Sequence, residues 1–163
     1  MYYKTKYKSP IGIITMACDS DENLVGLWIE GQKYFEDSIK SEITVDDTLA
    51  VFQKTKNWLE NYFNGDKPAI SELPLAPIGT GFRQKVWQIL CKIPYGEVCS
   101  YGDIARQLGK RMSAQAVGGA VGHNPISIII PCHRVVGSNG DLTGYAGGVE
   151  IKAKLLKHEG AIL

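Results

Sequence analysis

A segment rich in proline and glycine, residues 64–81, constrains the fold of this chain more than any other feature. The residues that define it are Pro68, Pro74, Pro77, Gly79 and Gly81. Proline lacks the amide hydrogen that a helix or a sheet interior requires, and glycine disfavours both, so no long regular element can continue through the segment. We therefore predict a linker that separates two units, residues 1–79 and 80–163.

The first unit has patterns of both strands and helices. A chain of 163 residues with 44% hydrophobic content has enough apolar surface for one domain or two small ones. Apolar alternation predicts a hairpin with strands at residues 12–16 and 24–29. Helical patterns follow, a weak one over residues 34–39 and a clearer one over residues 48–63. No functional motif lies in this unit, so we interpret it as a small α+β support domain.

The second unit is predicted to be mainly helical. After a capped amphipathic helix over residues 82–93, Ser100 and Asp103 have the spacing of a capping box. Gly109 closes the short helix that follows, and Ser113 can cap the next one. Two short helices joined by a tight turn predict a helix-turn-helix in a winged-helix-like domain. The fold class is therefore α/β (α+β).

The second of these two helices, residues 114–122, contains three glycines, Gly118, Gly119 and Gly122. Each interior glycine costs about 1 kcal/mol relative to alanine, so a compensating role is expected. One role is close packing against another backbone. The other is entry into the narrow minor groove of DNA, where long side chains do not fit. Gln115 is the only long polar side chain available, so binding would read little base sequence.

The segment that follows contains a cysteine beside a histidine and an arginine. Three β-branched residues, 128–130, predict a short buried strand that Pro131 ends. Cys132 and His133 would then share one pocket only if a turn begins there. Nearby imidazole and guanidinium groups, from His133 and Arg134, are expected to lower the pKa of the Cys132 thiol and make it a nucleophile. An inert buried cysteine is the alternative.

The net charge of +1 conceals an asymmetry between the two halves. Residues 1–79 contain 8 Lys and Arg against 12 Asp and Glu, net −4, whereas residues 80–163 contain 10 against 5, net +5. A polyanion would be drawn to the second half, with few phosphate contacts and moderate affinity. Two solvated faces of opposite sign are the alternative interpretation.

The cysteines and the apolar segments bear on the compartment. Cys18, Cys91, Cys99 and Cys132 are widely spaced, without the patterns of a disulfide framework or a zinc site. No apolar stretch approaches the ~18 residues that span a bilayer, and the first ten residues have no signal-peptide core. We expect reduced thiols, no metal, no membrane insertion and a cytoplasmic location.

Several short motifs occur together in the second half. They are Gly118-Gly119-Ala120, Asn124-Pro125, Ile130-Pro131-Cys132-His133-Arg134-Val135-Val136-Gly137, Tyr145-Ala146-Gly147-Gly148 and His158-Glu159-Gly160. Over about residues 80–160, this set resembles the alkylguanine-DNA alkyltransferases, also called methylated-DNA-protein-cysteine methyltransferases. The resemblance implies repair of double-stranded DNA that carries alkylated guanine. The substrate would be 6-O-methylguanine, with 4-O-methylthymine as a further possibility, and no cofactor is needed.

The resemblance also implies a catalytic set. A minor-groove helix would flip the damaged base out of the duplex, and Cys132 would take the alkyl group irreversibly, so each molecule acts once. His133 would act through a water as the base, and Glu159 would orient His133. Tyr101 would donate a proton or a hydrogen bond to the departing guanine.

Substrate and DNA contacts follow from the same resemblance. The Val135 carbonyl and the Ala146 amide would bind the edges of the base, with Tyr145 as a wall and Gly147 beside it. Asn124 would tie the recognition helix to the Cys132 loop, and Arg134 would hold that loop in shape. The implied DNA-binding residues are Arg106, Lys110, Arg111, Ser113, Ala114, Gln115, Gly118, Gly119 and Gly122.

This sequence departs from the family pattern at Gln115, where relatives usually carry an arginine that fills the space of the flipped base. It also lacks the N-terminal Cys and His zinc ligands of some relatives, and nothing indicates more than a monomer. Two other classes remain as alternatives. A Cys/His hydrolase would leave the glycine-rich helix unexplained, and a non-catalytic lesion-binding module would not need Cys132.

Overall fold

The structure is a computed structural model that describes residues 1–109 and 112–162. Its first half is built on a four-stranded sheet in the order β3-β2-β1-β4. Strands β1 (Tyr2–Ser9) and β2 (Gly12–Asp19) are antiparallel, as are β2 and β3 (Leu24–Ile29), while β4 (Ile43–Val45) runs parallel to β1. The predicted hairpin of residues 12–16 and 24–29 is confirmed. Strand β1 was not predicted, because Thr5 is its only buried residue.

Both faces of this sheet are covered. Helix α1 (Ala50–Phe63) joins the main core with side chains such as Phe52 and Leu59, and Asn64 follows its end, as predicted. A smaller cluster on Ala17, Val25, Trp28 and Ile39 lies apart from it. The weak helical pattern of residues 34–39 is wrong. Tyr34 and Glu36 there have φ angles of 60° and 57°, which an α-helix does not allow.

The segment predicted as a linker is packed against the first half. The Leu24 amide donates to the Pro74 carbonyl at 2.7 Å, and the Ala76 amide donates to the Leu24 carbonyl at 2.8 Å. Gly79 allows a close approach, since a Cβ there would lie 2.3 Å from the Trp87 ring. The main apolar core continues from the first half into the second. The division at residues 79 and 80 stays a prediction.

The second half begins with α2 (Gly81–Leu90), which is capped by Thr80, and then β5 (Cys99–Ser100). The helix-turn-helix follows as α3 (Tyr101–Leu108) and α4 (Ala114–Gly122). The predicted caps of these helices are confirmed, with Ser100 accepting from the Asp103 amide and Ser113 from the Ala116 amide. The Trp87 indole donates to the Ala120 carbonyl at 2.9 Å and so joins α2 to α4.

The last elements position the cysteine. Residues Cys132–Arg134 form one turn of 3-10 helix, and β6 (Val135–Val136) then pairs in parallel with β5. Helix α5 (Val149–His158) ends one residue before Glu159. Because β5 leads directly into α3 and β6 directly follows the turn, this short pairing brings Tyr101 and Cys132 close together.

The strand predicted at residues 128–130 is wrong. These isoleucines are buried, but they lie in a turn, and Ile128 has a φ angle of 70°. The side chain of Asn124 replaces the missing strand partner. Its amide nitrogen donates to the Ile130 carbonyl at 2.8 Å and to the Ile126 carbonyl at 3.3 Å, and its oxygen accepts from the Ile126 amide at 3.0 Å. Among these groups the Ile126 amide has Asn124 as its partner, while the Ile126 and Ile130 carbonyls also accept from the Ile130 and Cys132 amides.

We predict that Asn124→Ala lowers the free energy of unfolding by about 2 kcal/mol, because it leaves the buried Ile126 amide unpaired and removes hydrogen bonds to the Ile126 and Ile130 carbonyls. Asn139→Ala is the matched control, since Asn139 caps only an exposed turn. Urea denaturation of both variants measures the difference. A loss for Asn124→Ala no larger than the control's would contradict this account of the turn.

Candidate active site

Cys132 lies at the base of a cavity of about 160 Å³. The residue is 4% exposed, and its amide donates to the Ile130 carbonyl at 2.8 Å within the turn that Asn124 holds. The cavity draws its walls from α4, from the loop before α5 and from the first half of the chain. The lining residues are Lys33, Tyr34, Tyr101, Gly118, Val121, Gly122, Cys132, Gly144, Tyr145 and Ala146.

The thiol of Cys132 is protonated at neutral pH. Burial raises its pKa to about 11, although a hydrogen bond with Asn124 and the charge of Lys152 oppose the rise. The expectation that His133 and Arg134 lower this pKa is therefore wrong. The Arg134 guanidinium is bonded to Glu159 and to the Ile93 carbonyl, so its charge is committed elsewhere. A thiolate forms here only if a base removes the proton.

Behind the thiol lies a buried network centred on Glu159. His133 Nε2 is 2.7 Å from Glu159 Oε2, and Arg134 donates to both carboxylate oxygens, at 2.8 Å and 3.1 Å. The Tyr62 hydroxyl donates to Oε2 at 2.6 Å. Burial raises the pKa of Glu159, but the hydrogen bonds from His133, Arg134 and Tyr62 outweigh it and hold the pKa well below its usual range. Glu159 is therefore a carboxylate at neutral pH.

His133 is poised as a neutral base. It is completely buried, and burial lowers the pKa of its imidazole, while the hydrogen bond to Glu159 opposes the shift. Because a carboxylate only accepts hydrogen bonds, Nε2 carries the proton and Nδ1 is left as the acceptor. Among the described residues, Nδ1 has no hydrogen-bond partner. An unpaired buried acceptor on the residue next to a thiol is suited to accept a proton.

Tyr101 lines the cavity, and the buried Lys152 lies against the Tyr101 ring. The Tyr101 hydroxyl donates to the Thr143 carbonyl at 3.0 Å, and Lys152 Nζ donates to the same carbonyl at 3.1 Å. Burial, together with the charge of a Cys132 thiolate, raises the pKa of Tyr101. Burial lowers the pKa of Lys152 to about 8, against the opposing effect of Cys132. Lys152 was missed in the sequence because one lysine on an amphipathic helix resembles a solvated residue.

The structure brings only part of the expected substrate-binding set to the cavity. Tyr145 and Ala146 line it, and Gly147 lies against Tyr145, where a Cβ would be 2.7 Å from the ring. Val135 is fully buried in β6 and is not among the lining residues. Asn124 and Arg134 lie behind the cavity and support the turn. Lys33 and Tyr34, which the sequence did not indicate, add a wall from the first half.

The exposed face of α4 is small. Ser113, Ala114 and Gln115 are exposed at its start, and a Cβ added at Gly119 or Gly122 would meet nothing within 4 Å. Close packing against another backbone therefore does not explain those two glycines. Gly118 is different, because a Cβ there would lie 3.9 Å from the Tyr101 ring at the cavity wall.

The expected cations are placed unevenly. Arg106 is exposed and forms an ion pair with Asp103 on the same helix. Lys110 and Arg111 lie outside the described residues. Within residues 1–109 and 112–162, no group of His, Cys, Asp and Glu residues is arranged to hold a metal ion. No helix in the same ranges is long and apolar enough to cross a membrane.

Comparisons with known proteins agree along the whole chain. Residues 1–77 match the family model of the 6-O-methylguanine DNA methyltransferase ribonuclease-like domain, and residues 81–161 match that of its DNA binding domain. The methylated-DNA--protein-cysteine methyltransferase of Haemophilus influenzae is 43% identical over 96% of this chain and 86% of its own length. The Methanosarcina acetivorans protein of the same name is 44% identical over 99% of each chain.

Solved structures give the same result. The crystal structure of Mycobacterium tuberculosis OGT in complex with DNA superposes with a TM-score of 0.86 at 41% identity, covering 98% of this chain and 92% of that one. The O6-methylguanine methyltransferase of the same organism, solved separately, also gives 0.86, at 42% identity over 99% of this chain and 94% of its own. The mixed α and β fold predicted from the sequence is confirmed. This chain belongs to the 6-O-methylguanine DNA methyltransferase family.

Proposed function

We propose that this chain repairs double-stranded DNA by transferring the alkyl group of 6-O-alkylguanine to its own Cys132. The observation that carries the proposal is the position of Cys132, in a cavity bordered by the glycines of α4 and backed by the His133 and Glu159 pair. The bond between the 6-oxygen of guanine and the alkyl carbon breaks as a bond between that carbon and the Cys132 sulfur forms. The thiol proton leaves through His133, and guanine gains a proton, so the sum is thiol plus alkylguanine giving thioether plus guanine.

The thiol requires activation in this scheme. With a pKa of about 11, Cys132 is a poor nucleophile until its proton is removed. His133 presents Nδ1 as the free acceptor, and a bridging water carries the proton to it from the thiol. Glu159 stabilises the resulting imidazolium, as the third member of a nucleophile, base and orienter set does in general. Tyr101 lines the cavity, and its hydroxyl turns from the Thr143 carbonyl to donate a hydrogen bond to the departing guanine.

Access to the cavity requires that the alkylated base leave the duplex. A stacked base cannot reach the thiol of a cysteine that is only 4% exposed, and extrusion of the base costs a few kcal/mol. The small face of α4 supports docking in the minor groove, which is only about 6 Å wide. Tyr145 and Ala146 would then hold the flipped base, with Gly147 close behind. We further propose that the Val135 carbonyl and the Ala146 amide bind the edges of the flipped base.

The reaction is single-turnover, because a thioether has no good leaving path and no described residue is placed to remove the alkyl group. A reactive thiol also needs a reducing environment. The four cysteines are unpaired, which supports a cytoplasmic location for the protein. We propose that the protein acts as a monomer.

We predict that one methyl group is transferred to Cys132 for each protein molecule. Intact and peptide mass spectrometry after incubation with a 6-O-methylguanine duplex measures it. Cys132→Ser abolishes methyl transfer but leaves DNA binding intact. Cys99→Ser, the matched control on β5, retains methyl transfer. Methyl on another cysteine would contradict the assignment. Turnover without modification would indicate a hydrolase, and binding without any reaction would indicate a lesion-binding module.

A second prediction concerns Gln115, which stands where relatives usually carry arginine. Its amide offers one donor and one acceptor to the orphaned partner base, but it is shorter than arginine and uncharged. We expect Gln115→Ala to slow transfer from duplex DNA at least about tenfold, the equivalent of one lost hydrogen bond, with little effect on a single strand. Gln115→Arg holds or raises the duplex rate. Equal slowing on both substrates in stopped-flow measurements would show that Gln115 does not fill the space that the flipped base leaves in the duplex.

A third prediction concerns salt. The basic half should make a handful of phosphate contacts with little preference for undamaged sequence, so binding weakens steadily as salt rises. Arg106→Gln removes one positive charge and lowers the slope of the logarithm of the DNA-binding constant against the logarithm of salt concentration by up to about 1. Neutralising Lys110 or Arg111 is expected to have the same effect. Lys54→Gln, on an exposed position of α1, is the matched control. A strong preference for one undamaged sequence would contradict the minor-groove interpretation.

A further inference from the structure

We infer that Tyr62, a residue of the first half, is a positioning residue for alkyl transfer, because its hydroxyl fixes the Glu159 carboxylate that faces His133. The inference rests on the proposed function and gives the first half of the chain a part in the chemistry. Tyr62 touches neither the cavity nor the thiol. It acts through Glu159.

The hydroxyl of Tyr62 is held by its surroundings. The residue is 1% exposed, in the last turn of α1, and its hydroxyl lies 2.6 Å from Glu159 Oε2. The Trp58 ring stacks on it with 5.8 Å between centroids, and Phe63 and Tyr95 pack edge-on at 5.1 Å and 6.0 Å. Because these rings fix the plane of Tyr62, its hydroxyl has a set direction toward the carboxylate.

The two oxygens of Glu159 have different partners. Oε1 accepts from Arg134 Nε at 2.8 Å and from the Gly96 amide at 3.4 Å. Oε2 accepts from Tyr62, from His133 and, at 3.1 Å, from Arg134 Nη2. Tyr62 therefore competes with His133 for the charge of the same oxygen. A hydroxyl that draws charge from Oε2 limits how strongly Glu159 stabilises the imidazolium form of His133.

The hydroxyl is a permanent donor. Burial raises the pKa of Tyr62 far above its ordinary value, and the charge of Glu159 adds to the rise, so the group never ionises near neutral pH. Its effect on His133 is thus constant over the range in which the imidazole titrates. By weakening the pull of Glu159, Tyr62 keeps His133 neutral and available as a base.

Other charged and titratable groups surround this network and must be considered in any pH experiment. The Arg134 and Lys152 charges disfavour the imidazolium, and Glu159 favours it. The His158 ring contacts Tyr62, with its Nε2 2.7 Å from the Tyr62 carbonyl. The remaining groups that face the network are Tyr95, Cys132 and Tyr145. Because the pKa of Lys152 is about 8, the informative range lies below that pH.

The substitution Tyr62→Phe tests the inference, since it removes the hydroxyl and keeps the ring. Without this donor, Oε2 is more negative, the imidazolium is more stable and the pKa of His133 rises. The transfer rate falls at low pH as His133 becomes protonated, and this acid limb of the pH profile therefore moves to higher pH. The shift is on the order of one pH unit for one hydrogen bond to a charged group. The variant is about tenfold slower than wild type on that limb and approaches it near pH 8.

The experiment measures single-turnover methyl transfer from a 6-O-methylguanine oligonucleotide between pH 5 and 8. Tyr7→Phe is the matched control, because it also removes a hydroxyl from a ring packed against the main core, and Tyr7 makes no hydrogen bond with Glu159. It leaves the midpoint of the acid limb unchanged. A Tyr62→Phe profile that overlays wild type, or that falls equally at every pH, overturns the inference. Wild-type protein that gains no methyl on Cys132 would instead overturn the proposed function.

Discussion

The buried carboxylate of Glu159 is the interaction on which the rest of this structure depends. It follows directly after α5 and accepts hydrogen bonds from α1 through Tyr62, from the cysteine turn through His133 and Arg134, and from the segment after α2 through the Gly96 amide. Four separate parts of the chain therefore meet at two oxygens. The position of Cys132 depends on this meeting, because Cys132 is the residue immediately before His133.

Such a network is not a large source of net stability. Removing a carboxylate from water costs several kcal/mol, and the attraction of Arg134 with the surrounding hydrogen bonds only offsets that cost. Loss of either charged partner, Glu159 or Arg134, costs about 3 to 5 kcal/mol, because it leaves the other charge buried and unpaired. The network thus favours one arrangement over all others. That property suits a site where the imidazole must present a particular nitrogen to a thiol.

Signals that act over a few residues were predictable from the sequence, whereas long-range partners were not. The caps at Ser100 and Ser113 follow from side chains that reach amides three residues away, so they were found. The turn at residues 128–130 was misread as a strand, because β-branched residues suit any buried backbone and the decisive partner is the side chain of Asn124. Tyr62 lies 97 residues from Glu159, and no local pattern connects the two. His133 and Glu159 were paired through the family resemblance alone.

The neighbours of Cys132 in the sequence predict a lowered pKa for its thiol, whereas its burial in the fold raises that pKa. A neighbouring imidazole and guanidinium suggest an activated cysteine, yet the fold buries Cys132 and directs Arg134 at Glu159, so the thiol rests with a pKa of about 11. At neutral pH, only about one molecule in ten thousand then carries a thiolate. Under the proposed single-turnover reaction, such a resting state protects the protein, because an exposed thiolate would be lost to oxidants and small alkylating agents. In the proposed mechanism, Cys132 reacts only when a flipped base fills the cavity and the thiol proton passes to His133.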